Sequence, residues 1–233
     1  MTSTTGQSQS AARAEPPTRT ALVAGATGLV GKEILALLLA DSNYSAVHAV
    51  GRRAPNAKHP KLVVHLSSSL INWASPAVDD VFIALGTTIK AAGSKAAFKA
   101  IDADAVLAIA AAAKAAGATR LAVVSAMGAD PKSGVFYNQV KGEMEAAISA
   151  LGFVSVVIAR PALLQGDREE LKQPQRPAEK LSLLAFKLLK PLMPLIPANY
   201  RSIESSSVAR AMVSTLKTAG KGRHVLLSGD MQI

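Results

Sequence analysis

The sequence predicts a doubly wound α/β fold built on a parallel sheet, and three observations carry that prediction. Short apolar runs alternate with longer helical patterns from about residue 20 onward. The runs are continuously apolar, as in strands covered on both faces. A glycine-rich turn joins the first run directly to the first helical pattern, and repeated β-α units with short connections define this fold class.

The elements follow in order. "TALVAG" (20–25) reads as the first buried strand, followed by a helix over Leu29–Ala40. "AVHAV" (46–50), "KLVVHL" (61–66) and "DVFIALG" (80–86) read as further strands. Residues 94–117 are Ala-rich, which predicts one long helix stopped by Gly117. "RLAVVSA" (120–126) is a strand, residues 135–152 a helix, and "VSVVIARP" (154–161) a strand that Pro161 ends. A Ser-capped helix (205–220) and a last strand (223–229) complete the sequence of elements. Two segments fall outside this alternation. Residues 1–19 are polar and read as a disordered tail. Residues 165–201, inserted in a single domain spanning 20–229, read as a lid or substrate region with Lys180, Lys187 and Lys190 on one helical face and Leu181, Leu184 and Leu188 on another.

Composition narrows the function classes. Hydrophobic residues make up 49% and charged residues 18% of 233, enough to bury a sizeable core. No cysteine is present, which excludes disulfides, Cys-ligated zinc and a thiol nucleophile. His48, His59, His65 and His224 do not fall at metal-ligand spacings, so no metal is expected. The formal charge of +10 is scattered rather than clustered, and five Phe, three Tyr and Trp73 offer few stacking platforms. No nucleic-acid partner is therefore expected, and a basic chain suits phosphorylated small molecules equally well. The N-terminus lacks an apolar h-region, and the Leu-rich stretch before Pro197 is too short and broken to span a membrane. The expectation is a cytoplasmic protein without stable membrane insertion, either a monomer or a homodimer.

"GATGLVG" places Gly25, Gly28 and Gly31 in a strand–turn–helix context. There Gly25 permits the tight turn, Gly28 lets the backbone approach a pyrophosphate and Gly31 allows the helix to pack closely on the strand. The amides of Thr27, Gly28, Leu29 and Val30 would face the phosphates at the positive end of the helix dipole. The second strand ends in "AVGRR", with Arg52 and Arg53 where a site preferring NAD would carry a carboxylate. Guanidinium groups pair with a 2′-phosphate, which favours NADP(H) over NAD(H).

Tyr137 and Lys141 lie four residues apart, hence on one helix face. Tyrosine ionises near pH 10, and a nearby ammonium stabilises phenolate. Ser125 ends the preceding strand and could bond a carbonyl oxygen. The set reads as a site for hydride transfer to or from a small carbonyl or alcohol. Tyr137 would be the acid/base, Lys141 its tuner and ribose ligand, and Ser125 the polarising group.

The segments "GATGLVG", "GRR", "ALGTTIKAAGSKAAFKAIDAD", "VVSAMGADPKSGVFYNQVKGEME" and "IARPALLQGDREE" resemble the atypical short-chain dehydrogenase/reductases. Within them, the resemblance is to the Tat-interactive-protein oxidoreductase group and its epimerase-labelled bacterial relatives. It covers about residues 20–229 and implies a Rossmann-type fold. It also implies that Leu85 and Gly86 border the adenosine, that Pro161 to Leu164 border the nicotinamide, and that Ser125, Tyr137 and Lys141 form the catalytic set. No counterpart is found to the catalytic Asn of many short-chain dehydrogenases. Two alternatives stand beside the NADP-dependent oxidoreductase: a sugar-nucleotide epimerase or dehydratase retaining NAD, and a non-catalytic NADP-binding sensor.

Overall fold

The computed structural model describes residues 19–165 and 198–232. Seven parallel strands form the central sheet in the order β3-β2-β1-β4-β5-β6-β9. They are β1 (Arg19–Ala24), β2 (Tyr44–Gly51), β3 (Leu62–Leu66), β4 (Asp80–Ile83), β5 (Arg120–Val124), β6 (Ser155–Arg160) and β9 (Gly222–Leu227). The short strands β7 (Leu163–Gln165) and β8 (Ser202–Glu204) pair in parallel as a separate two-stranded sheet. The strand order reverses between β1 and β4, so the chain diverges on either side of that boundary and leaves a crevice at its carboxyl ends.

Both sheet faces are covered, which is why the strands read as unbroken apolar runs. On one face, Val23, Val47, Phe82 and Val157 meet α1 (Leu29–Ala40) and α6 (Ser205–Thr218) through residues such as Ile34, Leu38 and Met212. On the other, Leu22, Ile83 and Val123 meet Phe98, Ile109, Met144 and Ile148. Each fully buried Leu or Ile contributes about 1.5–3 kcal/mol relative to an exposed one. Lys217 of α6 forms an ion pair with Asp41 at the C-cap of α1, joining the two helices at their ends.

The expected elements recur with four differences. Arg19, expected in the tail, opens β1 because its guanidinium is drawn to buried Asp80, with Nη2 2.8 Å from Oδ1. The long helix expected over 94–117 is divided into α3 (Lys95–Lys99), a π-helical turn (Ala100–Asp104) and α4 (Ala105–Ala115). In that turn the Ala105 amide donates to the Ala100 carbonyl, one residue further back than in an α-helix. A short helix, α2 (Ile89–Ala92), precedes it, capped by the Thr88 side chain. Finally, β7 and β8 were not expected. Residues 1–18 of the tail and 166–197 of the lid, with its lysine and leucine faces, lie outside the described residues. The phenylalanine-bearing helix over 135–152 is α5 (Phe136–Ala150).

The register of β2 with β3 also brings together two histidines that sequence spacing kept apart. His48 Nδ1 and His65 Nε2 lie 2.9 Å apart, and the His65 ring meets Trp73 edge-on at 5.7 Å. Burial, and then the neighbouring His65, hold His48 below its ordinary pKa. Among the described residues no third potential metal ligand joins the pair.

Candidate active site

The glycine turn sits where the sheet order reverses. Gly25 has φ +86°, and a Cβ there would stand 2.6 Å from the Ala84 carbonyl oxygen, so the turn crosses the end of β4 at a distance only glycine allows. A Cβ on Gly31 would stand 2.0 Å from the Gly25 oxygen, which explains why helix and strand approach so closely. Gly28 differs: its nearest obstacle would be the Gly25 oxygen at 3.3 Å. A Cβ there needs the Gly25 carbonyl to give by only a few tenths of an ångström, far less than the clash at Gly31. Gly28 is the N-cap of α1, no side chain caps it, and the first turn contains no acidic residue. The first amides of α1, with the helix dipole, are placed where an anion would be favoured, whereas the Gly28 amide, expected to face the phosphates, is already bonded to the Gly25 carbonyl at 2.9 Å.

Arg52 and Arg53 follow β2, whose Val50 is in register with Ala24 of β1, so they stand on the same sheet edge as the turn. Both are exposed, and among the described residues neither makes an ion pair or hydrogen bond. Leu85 and Gly86 extend β4 beside the turn, and the Leu85 nitrogen lies 3.1 Å from where a Gly25 Cβ would be.

The second half of the site is a line of residues on α5. Tyr137, Lys141 and Glu145 succeed one another at four-residue intervals and share one face. Each meets a partner from a different part of the chain. The Tyr137 ring lies 5.3 Å from that of Phe98, which α3 carries. Lys141 Nζ lies 2.7 Å from Asp102 Oδ1, with both side chains almost wholly buried. The other Asp102 oxygen accepts the Thr87 amide at 2.8 Å, just beyond Gly86. The spacing of Phe98 and Asp102 thus matches that of Tyr137 and Lys141, and the π-helical turn lies where the two helices make these paired contacts.

Glu145 is the third member. It is buried and accepts from the Ser125 hydroxyl at 2.6 Å, from Arg160 Nε at 2.9 Å and Nη2 at 2.6 Å, and from Arg223 Nη2 at 2.9 Å. The hydrogen bonds to Glu145 raise the pKa of Arg160, against the cost of burial. A serine hydroxyl has one proton, and here it points at Glu145. Polarising a carbonyl therefore requires the Ser125–Glu145 bond to open.

Gly142, next to Lys141, lets the β5–α5 loop lie on the helix: a Cβ there would be 2.2 Å from the Asp130 carbonyl carbon and the Pro131 nitrogen. Pro161 is buried after β6, and its carbonyl accepts the Met127 amide at 3.1 Å. Leu164 lies in β7, paired with Ile203 and packed against the core on the α1–α6 face. The sequence reading missed Asp102, Glu145, Arg223 and Gly142. Glu145 could have been found by carrying the four-residue spacing one step past Lys141, whereas Asp102 carries no local signal.

Comparisons with known proteins show the family and the fold. A family described as NAD(P)H-binding matches residues 25–182. "Protein FMP52, mitochondrial" of Coccidioides immitis is 35% identical over 219 residues, covering 87% of each chain. "Protein HTATIP2" of Rattus norvegicus is 33% identical over 216 residues, covering 90% of this chain and 86% of that protein. The structure of MoeE5 with UDP-glucose and NAD superposes with TM-score 0.66 at 19% identity, covering 89% of this chain and 75% of that one. A short-chain dehydrogenase family protein from Francisella tularensis gives 0.62 at 14% identity, covering 93% and 100%. The relatives correct one expectation. The fungal homologues are named as mitochondrial proteins, which points away from the cytoplasm. A missing apolar h-region excludes only a secretory signal and leaves other addresses open. With the glycine turn, the seven-stranded sheet and these relatives together, the chain belongs to the NAD(P)H-binding family, as a homologue of the HTATIP2 and FMP52 proteins with a Rossmann-type α/β fold.

Proposed function

We propose that the protein is an NADP-dependent oxidoreductase acting on a small carbonyl or alcohol, with Tyr137 as acid/base. The observation that carries this reading is the position of Lys141. Its ammonium sits one turn from Tyr137 and is tied through Asp102 to the Thr87 amide, on the loop beside the glycine turn. A bound nicotinamide cofactor would supply the hydride in reduction and accept it in oxidation. The amides at the start of α1 hold the pyrophosphate, Gly28 leaves room for it, and Arg52 and Arg53 pair with the 2′-phosphate. Lys141 orients the nicotinamide ribose and stabilises negative charge on Tyr137, while Tyr137 gives the substrate oxygen its proton in reduction and takes it back in oxidation. Ser125 bonds the same oxygen after its hydroxyl leaves Glu145. Leu85, Gly86 and Pro161 border the bound dinucleotide.

Titration calorimetry of nucleotide-free protein tests the cofactor assignment, with tighter binding of NADPH than of NADH as the expected result. Co-purification of tightly held NAD would replace this reading with the sugar-nucleotide epimerase. Tyr137→Phe should abolish turnover of a carbonyl panel while leaving NADPH affinity nearly unchanged. Binding without any turnover by the parent protein would favour the sensor.

A further inference from the structure

We propose that the exposed edge of β3 is a docking surface for a second copy of this chain, the two strands pairing antiparallel about a two-fold axis at Val64 and joining two seven-stranded sheets into one. β3 ends the sheet, with β2 as its single neighbour. An edge strand leaves half of its amide and carbonyl groups unpaired, and it is a template for another strand unless charge or proline blunts it. Between Lys61 and Asp79 the sequence contains no Asp, Glu, Lys or Arg, and Pro76 lies well beyond the strand. Lys61 itself is tied back to the end of α1, its amine donating to the Asp41 carbonyl at 2.8 Å. Val63, Val64, Leu66 and Ile71 are all exposed, Leu66 at 65%. The strand is nevertheless fixed to β2 by the contact of His48 with His65 at 2.9 Å and by the Ser67 amide, which donates to the Gly51 carbonyl at 3.1 Å. The edge therefore already holds the conformation that a partner strand needs.

The backbone register picks out a second copy as the occupant. The Lys61 carbonyl accepts from Val47 and the Ser67 amide donates to Gly51, so the odd-numbered residues of β3 turn their backbone groups toward β2. With a period of two, Leu62, Val64 and Leu66 turn theirs outward. Antiparallel strands exchange hydrogen bonds between directly opposed residues at every second position. A two-fold axis at Val64 sets this residue opposite its own copy and Leu62 opposite the partner's Leu66, with outward-facing groups on both strands. Leu62, Val64 and Leu66 also share one side-chain face, so exposed Leu66 gains an apolar cross-strand neighbour. Lys61 falls opposite the partner's Ser67, and no two like charges oppose each other. Assembly closes at two, because each copy uses its one β3 edge. The opposite edge of the sheet, β9, carries exposed Arg223, the kind of charge that guards an edge.

Sedimentation velocity of the full chain tests the pairing. Five paired residues make a small interface, so association should follow concentration, with dimer dominant at about 100 μM and monomer at about 1 μM. A parent that stays monomeric throughout overturns the proposal and leaves the edge to a strand of another protein. Val64→Lys and Val64→Glu each set like charges face to face at the axis, so each should be monomeric at every concentration. A dimer that persists in both variants lies on another surface and overturns the proposal. Mixed in equal amounts, the two variants should recover the dimer, since lysine then faces glutamate; a mixture that stays monomeric refutes the axis at Val64. Val64 is 40% exposed, and urea midpoints near that of the parent check that neither variant acts by unfolding. Where a midpoint falls, Leu66→Lys, at the more exposed position, takes its place and should likewise be monomeric, a dimer again overturning the proposal.

Discussion

Asp80 lies at the opposite end of the sheet from the glycine turn and gives a direct test of what holds the cofactor-bearing strands together. It is fully buried at the start of β4, between β1 and β5. Its carboxylate accepts from Arg19 Nε and Nη2 at 2.9 and 2.8 Å, from Arg120 Nε and Nη2 at 2.7 and 2.8 Å, and from the Tyr44 hydroxyl at 2.7 Å. One carboxylate thus joins β1, β2, β4 and β5. Asp80→Ala would leave two guanidinium groups and a buried phenol without their acceptor. Removing one partner of a buried ion pair costs about 3–5 kcal/mol. The side chains of Arg19 and Arg120 are 34% and 17% exposed, so water recovers part of that loss and the expected cost is about 3 kcal/mol. With a urea m-value of roughly 3 kcal/mol/M, the midpoint should fall by about 1 M. Trp73, the single tryptophan, provides the fluorescence signal. Burial alone would raise the Asp80 pKa, but the hydrogen bonds from Arg120, Arg19 and Tyr44 outweigh it and hold the carboxyl below its usual range. A depressed folded-state value means that this stabilisation is complete above the unfolded value of about 4 and is lost as the pH falls through the folded one. The parent and Asp80→Asn should therefore differ at pH 7 and converge in acid. A loss below about 1 kcal/mol, or a gap that persists unchanged into strong acid, would refute the assignment of Asp80 as the clamp.

Other substitutions separate folding from binding. Gly28→Val should abolish binding of both NADPH and NADH while leaving the urea midpoint close to that of the parent. Gly31→Val should destabilise the whole domain, because its Cβ would lie 2.0 Å from the Gly25 oxygen. Equal effects on folding would show that Gly28 is merely architectural. Arg52→Ala with Arg53→Ala should weaken NADPH selectively by about 1–3 kcal/mol in calorimetry, and an equal loss for NADH would show that the arginines do not read the phosphate. Gly142→Ala should lower the urea midpoint by an amount equivalent to about 1–3 kcal/mol, since the β5–α5 loop must retreat from the helix. An unchanged midpoint would show that the loop yields freely.

The glycine turn was legible in the sequence because it is local. Gly25, Gly28 and Gly31 act through the backbone of one turn, and their spacing states the conformations required. The strands were legible because both sheet faces are covered, which produces continuous apolar runs. The four-residue spacing of Tyr137 and Lys141 likewise fixed a shared helix face. Arg160 carries no local signal of its partner, and only the fold pairs it with Glu145.

What the sequence by itself determined, then, were the elements, their order and the dipeptide-to-heptapeptide motifs that a single turn of chain can express. Tertiary structure alone decided the charges. Asp102 meets Lys141 across 39 residues because a π-helical turn sets the register between two helices, and Asp80 is reached by Arg19, Tyr44 and Arg120 because parallel strands align their first residues. Ser125 has its proton directed at Glu145 for the same reason, the packing of β5 against α5. Electrostatic pairing depends on distance in space and on exclusion of water, and neither quantity is written in the spacing of residues along a chain.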